Sequence, residues 1–498
     1  MFPYKTTFIL NRASTQPLYI QLSNQFIQLI KDQKLIAKTK LPGSRIMAKL
    51  LDVHRKTIVA CYEELSIQGW VESIPKKGTF IHSELPELKR RDFKVEKKKV
   101  DQPFQQGFEY YKNLDLIPVT THKKEGYITI NDGVSDARLT PVNEIARTYR
   151  RIAGRSTIHQ NLSYGTTYGN DKLRETLVNY LNETRGLRIK KENIMITRGS
   201  QNGIYLSAQL LLKEDDVIVV GETNYASADL TFKSTGAELH RISVDKCGLV
   251  IEELEDLCKL QQIKAVYVTS HHHHPTTVTL SAQRRIHLLN LAKQYHFAIL
   301  EDDYDYDFNY NHAPILPLAS HDTHGNVIYI GSVCKTVAPA FRVGYLIANA
   351  DFIDEVSGLR RIVDRQGDEL LELTFSDFIK SGELDAHIRK VMKLYKKRRD
   401  LFCGELKKRL HKYIDFTIPK GGMAVWVVLS KKYTWEQVAK EAEKQKLMFG
   451  NVTRYDLMRT NHNAIRIGFA SYNESEILDL ITKLEITMHQ LEHLEKFD

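Results

Sequence analysis

From residue 126 onward the chain alternates: short apolar runs of strand length are set between longer stretches with a helical period. "YITIND" is followed by "VNEIARTYRRIAG" and "KLRETLVNYLNETRG". Then come "NIMITRGSQNGIYLSAQLLL", "DVIVVGETNY", "KAVYVTS", "RRIHLLNLAKQYHFAILEDDY", "NVIYIGSVCKT" and "FRVGYLIAN". Strands that are apolar throughout and separated by helices predict an α/β domain whose mostly parallel sheet is covered on both faces. That topology also fixes where a ligand goes, because such sheets bind at the carboxyl ends of their strands. The loops at those ends are "TRGSQNG", "GETNY", "TSHHHHPTT", "EDDYDYD" and "GSVCKT".

A chain of 498 residues is too long for one core, so more domains are expected, and charge shows where one of them lies. Residues 1–83 hold 12 Lys and Arg against 5 Asp and Glu, and residues 84–100 hold 7 against 4. The rest of the chain carries 52 of each, so the whole net charge of +10 sits in the first fifth. A small basic module joined to a large neutral one predicts a polyanion partner for the first part only.

Within that module Leu18, Leu22, Phe26, Leu29 and Ile30 share one helical face. "SRIMAKLL" reads as a second helix with Ser44 as its N-cap. "HRKTIVACYEELSIQG" reads as a third, with Ile58, Cys61, Tyr62 and Leu65 inward and Gly69 closing it in a left-handed cap. "WVESIPKKGTFI" completes a winged helix-turn-helix with a hairpin. His54, Arg55, Lys56 and Thr57 lie where a recognition helix meets base edges, Arg45 opens the helix before it, and Lys76 and Lys77 tip the wing beside phosphates. Residues 17–82 resemble the GntR-family DNA-binding domain, which implies double-stranded operator DNA as partner. His54 replaces that family's usual Ser cap, and Gly43 replaces another Ser.

Residues 84–125 are basic and weakly apolar and read as a linker. No apolar run reaches membrane-span length, and the N-terminus has no signal-peptide pattern. The five cysteines are scattered without a framework spacing, which points to the cytoplasm.

The cluster "EDDYDYDFNY" (301–310) stands directly behind the apolar run "FAIL", and "GSVCKTVAPAFRVGY" follows about thirty residues later. Together they resemble fold-type I pyridoxal 5'-phosphate (PLP) enzymes of the aspartate aminotransferase class, over roughly residues 125–498. The resemblance implies Lys335 as the amine that forms a Schiff base with the PLP aldehyde, Asp302 as the carboxylate for its ring nitrogen, and Tyr304 for its phenolic oxygen. Its phosphate would take Gly199, Ser200 and Gln201 at a helix start, with Ser332 and Arg342. Tyr225 would stack on the ring, Tyr164 would reach the phosphate of a partner subunit, and Arg466 in "NAIRIGFA" would grip a carboxylate of the bound amino compound. Asp303 competes with Asp302, since neighbours on a strand face opposite ways; the subfamily pattern "EDDY…SK" favours the first.

Two departures stand out. "TSHHHHPTT" lies where the class has N-P-x-G and the related regulators H-Q-x-P-x-G; His272 and Pro275 fit, and Thr277 replaces the glycine. The four histidines alternate in direction on an extended chain, so no metal site is expected, and His272 is assigned to hydrogen bonding at the cofactor. Cys334 stands where a serine is common and removes a phosphate donor. The order of the two modules resembles the MocR subfamily of GntR regulators. That implies a homodimeric transcription factor sensing an amino compound or PLP. The alternative is a working aminotransferase that carries a DNA-binding domain. The expected boundaries are 1–83, 84–125 and 126–498, with a C-terminal α+β subdomain from about 365.

Overall fold

The computed structural model describes residues 2–12, 14, 16–75, 77–83, 107–109, 124–310, 315–333, 335–455 and 462–494. The chain divides into two compact units, Met1–Tyr111 and Lys112–Asp498, so the division falls within the basic stretch 84–125. Most of that stretch, with Lys76 and Cys334, lies outside the described residues.

In the first unit, helices Leu18–Lys31, Ser44–Leu51 and Arg55–Ile67 precede an antiparallel hairpin of Val71–Ile74 and Gly78–Ile81. Leu22, Phe26, Met47, Ile58, Cys61, Leu65 and Ile81 fill its core. Gly43, not Ser44, occupies the N-cap of the second helix, and no side chain caps it. Gly69 takes φ +76° just past the third helix and ends it as expected. An N-terminal arm not read from the sequence also packs here. Gln25 exchanges hydrogen bonds with the Ile9 backbone and Gln21 with that of Asn11, while Tyr4 and Phe8 are buried.

The second unit is built on a seven-stranded sheet. Across it run 194–197, 344–347, 327–332, 298–303, 265–268, 217–221 and 238–242. Only 344–347 is antiparallel to its neighbours; the other pairings are parallel. Alternate residues feed separate cores. Ile218, Val220, Tyr267 and Leu300 pack on one side, and Val217, Val219, Val266 and Ile299 on the other. The edge strand Glu238–Ile242 escaped the sequence reading because it is only partly buried and mixes polar with apolar residues.

Two further expectations need correcting. Of "YITIND" only Ile128–Thr129 forms a strand, and it pairs with Leu447–Met448 rather than joining the large sheet. The subdomain also starts later than residue 365. Helix Glu369–Lys380 buries Phe375, Phe378 and Ile379 with Ile145, Leu173 and Leu177, in the core of the larger layer. The smaller layer begins with the long helix Glu383–Leu410. It holds the antiparallel strands 414–416, 424–429 and 464–468 and the C-terminal helix Glu474–Leu494.

Candidate functional site

The carboxyl ends of strands 298–303, 327–332, 265–268, 217–221 and 194–197 bring most of the expected residues together. Asp302 and Asp303 point to opposite faces, and their surroundings differ. Asp303 is saturated: Tyr329 Oη donates to it at 2.7 Å and His271 Nδ1 lies 3.0 Å away. Burial raises its pKa, but His271 and Tyr329 outweigh that and the net shift is downward. Asp302 receives one hydrogen bond, from Tyr267 Oη at 2.8 Å, while its Oδ1 is buried without a partner. Burial pushes the Asp302 carboxyl up to about 7.

Lys335 follows strand 327–332 and donates from Nζ to the Gly133 carbonyl at 2.9 Å. Burial lowers its pKa, against the pull of Asp132, which makes its amine a better nucleophile. The adjacent Asp132 carbonyl accepts from Arg466 Nε at 2.7 Å. Arg466, 2% exposed, also donates to the Pro275 carbonyl at 3.0 Å and approaches Tyr304 Oη at 3.4 Å. Asn131 shapes this turn by accepting from the N–H groups of Gly133 and Val134.

Gly199 has φ +78° and caps helix Ser200–Leu211. A Cβ there would come within 2.8 Å of Arg342 Nη2, so the exposed guanidinium lies against the helix start, an arrangement suited to an anion. Ser332 Oγ donates to the Val343 carbonyl at 3.2 Å at the neighbouring strand end. The Gln201 amide is committed to Thr231 and the Ser227 carbonyl, so only its backbone N–H remains for an anion. The Tyr304 hydroxyl donates to the His272 carbonyl at 2.9 Å. Tyr164 is 77% exposed and stacks with Arg365 of its own chain.

His272 is a correction. Its Nδ1 lies 2.9 Å from Asp305, and its ring fills the space over Gly421, where a Cβ would stand 2.2 Å from Nε2. Both ring nitrogens are thus taken up between Asp305 and the Gly421 backbone of the smaller layer. His274 takes the inner position, edge-on to Tyr225 at 5.4 Å and 3.7 Å from Asp132. Burial pushes its imidazole down to about 4, so it is neutral at pH 7. The signal was there, since His274 precedes Pro275 where N-P-x-G has its Asn. Asp132, Tyr267, Arg454 and Tyr455 carried no motif at all.

Thr277, in place of glycine, is held at φ +67°. A β-branched residue there stores strain of about 1–3 kcal/mol. Thr277→Gly is therefore expected to stabilise the protein by about 1 kcal/mol once glycine's own entropy cost is subtracted, read as a higher denaturant midpoint at constant slope.

In the first unit, His54 does what a serine cap would do: its Nδ1 accepts from the Lys56 N–H at 3.2 Å. His54, Arg55, Lys56, Arg45 and Lys77 are exposed and Thr57 is half-buried. Arg55 Nε reaches Ser44 Oγ at 3.4 Å and links the two helices.

The family model for aminotransferase class I and II matches residues 128–484. Aromatic-amino-acid aminotransferase 1 of Thermococcus litoralis is 30% identical over 73% of this chain and 88% of its own. The crystal structure of the multiple substrate aminotransferase from Thermococcus profundus superposes with a TM-score of 0.70 at 27% identity, covering 74% of this chain and 92% of that one. The chain belongs to the aminotransferase class I and II family, whose cofactor is PLP. The probable rhizopine catabolism regulatory protein MocR of Rhizobium meliloti is 24% identical over 97% of this chain and 96% of its own. With several helix-turn-helix regulators matching at similar length, the chain is a MocR-type member of the GntR regulators. The residues present suit the cofactor: Asp302 Oδ1 lacks a donor that a protonated ring nitrogen carries, and Gly199 with Arg342 forms a cradle for its phosphate. Among the described residues no three His, Cys, Asp or Glu side chains converge as metal ligands, and no helix is long and apolar enough to cross a membrane.

Proposed function

We propose that this protein is a cytoplasmic, PLP-binding transcriptional regulator in which residues 1–83 form a winged helix-turn-helix that binds operator DNA. The observation that carries the reading is the pairing of the orphaned Asp302 Oδ1 with a buried Lys335 amine in a chain whose entire charge excess sits in its first hundred residues. Bound PLP supplies an aldehyde that captures primary amines and a ring that draws electrons when protonated. Lys335 would hold the aldehyde carbon and Asp302 the ring nitrogen. Tyr225 and His274 would flank the ring, with Tyr304 near its oxygen. Ser332, Arg342 and the Gly199–Ser200 backbone would hold the phosphate, joined by Tyr164 from the second subunit of a homodimer.

The effector is an amino compound or PLP itself. It acts only if it binds two arrangements of the dimer unequally. Operator titration with PLP-free protein, PLP-loaded protein and loaded protein plus amines tests this; a shift of roughly 5–150-fold is expected. The 30% identity to an enzyme favours a second reading, a working aminotransferase. Identical isotherms together with steady turnover of an oxo acid acceptor would select it.

On the DNA side, Lys77→Ala should weaken all sequences alike and reduce the salt slope by about one. Arg55→Ala should cost roughly 1–3 kcal/mol on the operator alone. Equal losses on operator and random duplex would reduce Arg55 to a backbone contact.

A further inference from the structure

The arm at the start of the chain is pinned along its length. Gln25 and Gln21 hold the backbone of Ile9 and Asn11, and Arg12 Nη2 donates to the Asp52 carbonyl at 2.6 Å, just past helix Ser44–Leu51. Phe8 packs on Phe26 with ring centroids 4.6 Å apart, and Tyr4 is buried. The helical turn Tyr4–Thr7 therefore rests against helix Ser44–Leu51.

That contact brings Lys5 beside Arg45 and Lys49. The three line a groove of about 480 Å³ together with Leu50 and Ile46, which is 62% exposed. Residues 2–12 and 44–51 contain Lys5, Arg12, Arg45 and Lys49 but no Asp or Glu, and Arg12 is taken by Asp52. Among the described residues no carboxylate pairs with Lys5, Arg45 or Lys49, and all three are exposed. Lys34, elsewhere in the unit, lies 3.9 Å from Asp32. Three like charges gathered without a counter-charge repel one another, and anions spaced along the groove would relieve that repulsion. The groove is also continuous with the exposed start of helix Arg55–Ile67, since Arg55 Nε reaches Ser44, the neighbour of Arg45.

We infer that Lys5, on the N-terminal arm, and Lys49 join Arg45 in a clamp for the sugar–phosphate backbone of double-stranded DNA along the outer face of helix Ser44–Leu51. Lysine suits this task, because its point charge on a flexible stem follows phosphates without a fixed geometry. Ile46 offers the sugars an apolar surface between the charges. The inference rests on the DNA-binding reading of residues 1–83. It adds to that reading an element outside residues 17–82, the span over which the winged-helix resemblance runs.

The test titrates the full-length protein with a random-sequence duplex of about 40 base pairs across a series of salt concentrations, because backbone contacts are indifferent to sequence. Lys5→Ala and Lys49→Ala should each flatten the slope of log affinity against log salt by about one, and the double variant by about two. Each single change should weaken binding roughly three- to tenfold near physiological salt, while Lys5→Arg should keep the wild-type slope. Lys34→Ala removes the same charge outside the groove and should stay within about twofold of wild type, since distant charge is screened. The substituted lysines are exposed, so denaturant midpoints should match wild type and separate a lost contact from a lost fold. Lys5→Ala and Lys49→Ala variants that bind like Lys34→Ala overturn the clamp and leave the DNA-binding reading standing. A wild type that holds no duplex even at low salt overturns both. Weakening on poly-L-glutamate alone would assign the groove to an acidic protein and overturns the clamp as well.

Discussion

Asp302→Asn should weaken PLP binding roughly a hundredfold, the cost of about 3 kcal/mol for removing one partner of a buried charge pair. It should also make the PLP-free protein more stable above pH 7. The sign follows from burial. Asp302 titrates near 7 in the folded chain, well above an unfolded aspartate, so the folded state binds the extra proton between about pH 4 and 7. Stability falls as pH rises through that window and stays low above it. Removing the acid should recover on the order of 2–4 kcal/mol at pH 8, less what the new amide costs without an acceptor. Glu372, also pushed up to about 7 by burial, contributes the same slope in both proteins, so the difference between the two curves is diagnostic. Asp303→Ala should behave oppositely, costing the fold about 3–5 kcal/mol by leaving His271 and Tyr329 without their acceptor. Denaturant unfolding at pH 5 and pH 8, with PLP titrations alongside, reads all of this. The reverse order would place the ring nitrogen at Asp303.

The second large effect is on Lys335. Lys335→Ala should abolish the absorption of covalently attached cofactor while PLP still binds through its phosphate and Asp302. The variant's operator affinity should then change by less than about twofold on adding amines, against the 5–150-fold typical of an allosteric coupling. Difference spectra and operator titrations on the same preparation check both. A variant that keeps the wild-type absorption would place the attachment on another amine.

The parts of the site that were legible in the sequence are those where one strand end carries its own signal. Asp302 ends an apolar strand, Lys335 follows another, and the Gly199–Ser200 turn opens a helix, so local pattern marked these loops, while the role of each residue came from the family resemblance. His54 was flagged because a cap position held an unusual residue, and its ring does cap the helix. What was missed comes from chain folded back over long distances. Gly133 meets Lys335 across 202 residues, and nothing in "INDGVS" marks that contact. His272 is the residue that fits the regulators' H-Q-x-P-x-G pattern, and in a run of four like residues that pattern does not tell which ring turns inward. The packing of His272 against Gly421 decides it, and the glycine lies in another layer. Strand Ile128–Thr129 was placed in the wrong sheet for a similar reason, since its partner Leu447–Met448 is more than three hundred residues away.

The bond from Lys335 to the Gly133 carbonyl has a consequence for timing. One nitrogen serves as the reactive amine and as a staple on the turn at 131–134, and it cannot do both at once. Whatever occupies that nitrogen leaves a buried carbonyl without its donor, a loss of about 1–3 kcal/mol unless the turn relaxes. The turn comes just after strand Ile128–Thr129. A chemical event at a single atom thereby loosens a turn whose other end is tied into the smaller layer through the strand pairing with Leu447–Met448.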